Sequence, residues 1–75
     1  MIPTAVQLKA ARQLLEWSRD DVAGACGLDV AEIVSFEAGL RDLGRDILGE
    51  IRKTLEAAGV EFDLNGSGVK LKVGE

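Results

Sequence analysis

Few side chains in this sequence could carry out chemistry. There is no histidine, and the single cysteine, Cys26, has no second thiol to join. Those two facts exclude, within the chain, a Ser-His-Asp triad, a Cys-His pair, a zinc-protease helix, a histidine-containing zinc finger, an internal disulfide and a cysteine-rich metal site. Asp20 and Asp21 stand near Cys26, where they would raise a thiol pKa rather than lower it, so Cys26 is expected in the core and not as a nucleophile. Asp20, Asp21, Asp29 and Glu32 could be taken for a cation site, yet each stands where a helix begins, and helix-start chemistry accounts for them. No metal, no cofactor and no catalytic residue is expected, because no nucleophile–base pair or ligand set can be assembled.

The remaining chemistry is that of charge. Lysine and arginine number 9 against 13 aspartates and glutamates, a net charge of −4. Such a balance repels phosphates. From Thr4 to Gly39 only Lys9, Arg12 and Arg19 are basic, against six acidic residues, whereas Leu40 to Glu75 carries six basic residues against seven acidic ones. The 75 residues suit one small domain, 1–75, whose core must be aliphatic because the aromatics are only Trp17, Phe36 and Phe62. The uncharged stretch from Val22 to Leu28 is far short of a membrane span, and a cytoplasmic protein is expected.

The elements that must position these groups are marked by caps and periodicity. Thr4 and Gln7 fit a capping box opening a helix that should run to about Trp17, with Leu8, Ala11 and Leu15 on one side. Ser18 caps a short second helix ended by Gly27, with Val22, Ala23 and Cys26 facing inward. Asp29 and Glu32 open a third helix closed by Gly39, on which Ile33 and Phe36 face the core, while Ala31, Val34, Ser35 and Ala38 form an outer face without charge. Leu40 to Gly44 reads as a loop. Ile47, Leu48, Ile51, Leu55 and Ala58 then form the apolar side of a fourth helix. Beyond Gly59 the period changes to two, and Val60, Phe62 and Leu64, then Val69, Leu71 and Val73, flank the turn residues 65–68 in a β-hairpin. Pairing Leu64 with Val69, Phe62 with Leu71 and Val60 with Val73 also sets Asp63 against Lys70 and Glu61 against Lys72. The expected fold is therefore mainly α: a four-helix bundle over 4–58 followed by a C-terminal hairpin over 60–73.

The string from Leu28 to Gly39, with the short turn before it and the segment from Leu8 to Ser18, resembles the phage Cro-repressor (XRE-like) helix-turn-helix family. Leu55 to Phe62 looks like the continuation found in small bacterial members. The resemblance covers roughly residues 4–64 and implies duplex-DNA binding, with helix two as support and helix three in the major groove. By matching position, Leu28, Ala23, Ile33 and Phe36 would be core and Arg12 would pair with Glu37. Val30, Ala31, Val34 and Ser35 would face bases, where the family usually carries polar readers and this chain offers only the Ser35 hydroxyl. Arg19 would contact phosphate, joined by Arg41 and Arg45 from the loop region.

The resulting expectation is a small helix-turn-helix DNA-binding transcription regulator acting as a homodimer. The alternative is an interaction module of the same fold that has lost DNA binding and uses the uncharged outer face of helix three on a protein partner; the acidic balance favours it. A scatter of exposed Ala and Val residues also needs no function. The hairpin row Val60, Phe62, Leu64, Val69, Leu71 and Val73 needs cover, either from helices one and four or from a second chain; the expectation is the second chain.

Overall fold

In the computed structural model, which describes residues 3–63 and 68–72, Thr4 opens the first helix by a reciprocal cap. Its hydroxyl accepts from Gln7 N at 3.1 Å, and Gln7 Oε1 accepts from Thr4 N at 3.1 Å. Helix α1 (Ala5–Leu14) buries Leu8 and Ala11. It stops three residues short of Trp17, correcting the sequence expectation. Glu16 takes a left-handed conformation, φ 58°, and Trp17 N donates back to Arg12 O at 2.9 Å, a Schellman-type closure. The reversal folds Trp17 onto the core and frees Ser18 to adopt the extended backbone that a helix cap requires.

Helix α2 (Arg19–Cys26) begins as the sequence indicates: Ser18 Oγ accepts from Asp21 N at 3.0 Å and Asp21 Oδ2 accepts from Ser18 N at 2.8 Å. Gly27, at φ 72°, ends it, and the turn to helix α3 (Val30–Glu37) is three residues, Gly27, Leu28 and Asp29. At the start of α3 the Glu32 carboxylate accepts from Asp29 N at 3.3 Å. At its end Leu40 N donates to Ser35 O at 2.9 Å across the left-handed Gly39, so the expected glycine stop is present. Helix α4 (Arg45–Ala57) buries Leu48, Ile51 and Leu55, while Ala58 is exposed as its cap residue and not on the apolar side.

Leu8, Val22, Ile33, Ile51, Leu55 and Val60 are fully buried in one core that every helix and β1 enters. Leu43 joins it from the loop after α3. Cys26 and Leu28 are only partly buried at its margin. Helix α1 packs against both α3 and the sheet, and α4 packs against α2 and β1. Among the described residues no helix is long and apolar enough to cross a membrane.

Strands β1 (Val60–Phe62) and β2 (Val69–Leu71) are antiparallel, with Val60 opposite Leu71, Glu61 opposite Lys70 and Phe62 opposite Val69. This register is slipped by two residues from the expected one. Asp63 now lies beside Gly68, its N–H donating to Gly68 O at 2.9 Å, so Gly68 belongs to the ladder and not to the turn. A Cβ at position 68 would sit 2.7 Å from Asp63 Oδ2, so a side chain there requires the exposed Asp63 carboxylate to swing aside. The buried Gln7 secures this arrangement, its Nε2 donating to Gly68 O at 3.2 Å and Asp63 O at 3.4 Å. The slip parts both expected acid–base pairs, Asp63 with Lys70 and Glu61 with Lys72, and sets Glu61 against Lys70 instead, at 3.7 Å. Leu64 and Val73 lie outside the described residues.

Candidate nucleic-acid interface

The geometry that orients α3 starts from one carboxylate. Glu37, in the last turn of α3, has a side chain only 3% exposed and faces two arginines. Arg12 Nε donates to Glu37 Oε2 at 2.9 Å and Arg12 Nη2 to Glu37 Oε1 at 3.1 Å, a two-pronged pair between α1 and α3. Arg12 Nη1 donates to Trp17 O at 3.1 Å, so the guanidinium holds α3 and the α1–α2 turn together. This is the pair that the resemblance implies. The sequence reading missed the third member: Arg19 Nε also donates to Glu37 Oε1, at 3.3 Å, from the start of α2.

Held in this way, α3 presents Val30 (40% exposed) and Val34 (44% exposed), with Ala31 and Ala38 also at the surface. Ser35 is half-buried. The face is as uncharged as the sequence indicates, and its flank at Asp29 and Glu32 is acidic. It can make van der Waals contact with thymine methyls or with an apolar partner, and it offers one hydroxyl for hydrogen bonding.

The three expected phosphate-binding arginines are placed differently. Arg19 is half-exposed and already engaged with Glu37. Arg41 lies in the loop after α3 and Arg45 in the first turn of α4; both are exposed, and neither forms an ion pair among the described residues. A cation in the first turn of a helix opposes the helix dipole, so helix stability does not explain Arg19 or Arg45.

The expected dimer row is largely occupied by its own chain, a correction to the sequence reading. Val60 and Phe62 are buried and Val69 is partly buried, covered from α1 and α4, because the hairpin folds back over helix surface that the core leaves open. Leu71 alone of the described members is well exposed. Burial pushes the Cys26 thiol pKa up, with a smaller contribution from Glu50 and an opposing hydrogen bond from Thr54. The direction agrees with the sequence reading, but the main cause is burial and the carboxylate that adds to it is Glu50, not Asp20 or Asp21. Among the described residues no group of three or more metal-capable side chains converges.

No protein-family model matches this chain, and a search of curated proteins gives no match either.

Proposed function

We propose that this chain is a small helix-turn-helix regulator that binds duplex DNA, laying the outer face of α3 in the major groove and acting by site occupancy. One observation carries this reading: a helix with an exposed, uncharged outer face is tied to its supporting helices by Glu37 between Arg12 and Arg19. A rigidly aimed helix is what groove insertion requires. Arg41 and Arg45 supply phosphate contacts at the flank. Sequence preference then comes mainly from shape and thymine methyls, not from polar base readout.

The test is duplex binding across a salt series. Affinity should fall steeply with salt, with a log–log slope near −0.9 per phosphate neutralised, and the Arg41→Ala/Arg45→Ala variant should flatten that slope by about two units while remaining folded. A specific observation favours a second reading, the protein-interaction module. The net charge is −4 and the exposed α3 face carries no cation. Absence of duplex binding at low salt selects that reading.

A further inference from the structure

The two-stranded sheet leaves one side of β2 without a main-chain partner. Lys72 N donates to Gly59 O at 2.7 Å and Asp63 N to Gly68 O at 2.9 Å, so Gly68, Lys70 and Lys72 direct their main-chain groups toward β1. Val69 and Leu71 alternate with them and direct N–H and C=O away from β1. Among the described residues nothing meets those groups. The outer edge of β1 differs, because Val60 and Phe62 are buried in the core. On β2, by contrast, Leu71 is 45% exposed, and Lys70 and Lys72 are exposed.

We propose that the outer edge of β2 is a docking edge for an extended, acidic segment of another protein, added to the sheet as a third strand. Main-chain hydrogen bonds to Val69 and Leu71 would hold it, with carboxylates across from Lys70 and Lys72 and an apolar residue beside Leu71. The inner side of β2 already has this chemistry. There Glu61 faces Lys70 at 3.7 Å, within an acid–apolar alternation, Val60-Glu61-Phe62-Asp63.

Charge also disfavours the nearest competitor, a second copy, in the registers that centre on the lysine-bearing part of the strand. A two-fold β2–β2 pairing centred on Lys70 sets Lys70 against Lys70, and one centred on Leu71 sets Lys70 against Lys72. Pairing β2 with the β1 of another copy matches the charges but needs the edge whose residues are buried. Lysines on an edge strand ordinarily prevent self-pairing. Here the same lysines leave the edge selective for a strand of opposite charge. The edge is separate from the α3 face, since the sheet packs on α1 and α4 whereas α3 packs on α1 and α2.

The experiment titrates the full chain with a short capped peptide alternating glutamate and valine, and with its lysine–valine counterpart, following backbone amides by NMR. The acidic peptide should shift Val69 and Leu71 and slow their hydrogen exchange, while the α3 amides stay in place and the basic peptide has no effect. Leu71→Pro removes the outward N–H together with the exposed leucine side chain, leaves the N–H groups that face β1 in place, and should weaken binding at least tenfold. Lys72→Glu, which faces Gly59 and not a charge, should weaken it about threefold and serves as the test if the proline variant does not fold. Equal binding of both peptides, binding of neither, or indifference to Leu71→Pro overturns the proposal. So does a concentration-dependent dimer that Leu71→Pro abolishes, which would assign the edge to a second copy. A short DNA duplex that shifts Val69 and Leu71 where the peptide does not would make the lysines a phosphate patch instead.

Discussion

Glu16 occupies a left-handed position that costs an L-residue with a Cβ about 1 kcal/mol relative to glycine. Glu16→Gly should therefore raise the urea midpoint at unchanged slope, adding up to ~1 kcal/mol. An unchanged or lower midpoint would mean that the turn between α1 and α2 carries no such strain. Glu37 behaves oppositely, because its single carboxylate is shared between two guanidiniums and Arg12 is itself only 12% exposed. Glu37→Ala leaves Arg12 buried without a counter-ion and should cost about 3 kcal/mol, while Arg19→Ala, on a half-exposed side chain, should cost under ~1 kcal/mol. A double-mutant cycle between Arg12→Ala and Glu37→Ala should give a coupling above about 1 kcal/mol; strict additivity would remove the pair from the account of how α3 is aimed. The pair was legible through the family resemblance alone. The sequence offers Arg19 as a phosphate contact and hides its tie to Glu37, because nothing in its spacing reveals that the start of α2 lies against the end of α3.

At the scale of elements, the helices were legible because caps and glycines are local signals. Ser18, Asp29, Gly27 and Gly39 each mark a boundary the structure retains. The end of α1 was not, since the apolar period continues through Trp17 while the backbone reverses at a glutamate. Nor was the strand register. Alternation permits any even slip, and the choice is made by Gln7, a residue far away in sequence whose amide reaches Gly68 and Asp63. Gln7→Ala removes both contacts and one half of the α1 cap. It should cost about 2 kcal/mol and raise hydrogen exchange in β1 and β2 more than in α2 and α3. Equal loss of protection throughout would show that Gln7 does not single out the hairpin.

Over the whole molecule, the sheet is part of the core and not an appendage, because Val60 is fully buried and Phe62 and Val69 pack beside it. A domain of this length has on the order of 4–11 kcal/mol of stability. Removing residues 64–75 uncovers Val60 and Phe62 and deletes β2, so the remaining helices should lose a sharp thermal transition; a truncated chain melting as cooperatively as the parent would count against a shared core. The fold class was readable because one apolar side per element must meet another. The cover of the hairpin was not, because surface left over on α1 and α4 emerges only from their packing. The tie from Gln7 to Gly68 has a kinetic side as well. It joins residues 61 positions apart, and closing a loop of that size costs on the order of 4 kcal/mol in chain entropy before any contact rewards it. During synthesis α3 can pack on the first helix early, but the part of α1 that faces the sheet must wait until Gly68 has emerged from the ribosome. Until then that part stays open to chaperones and proteases.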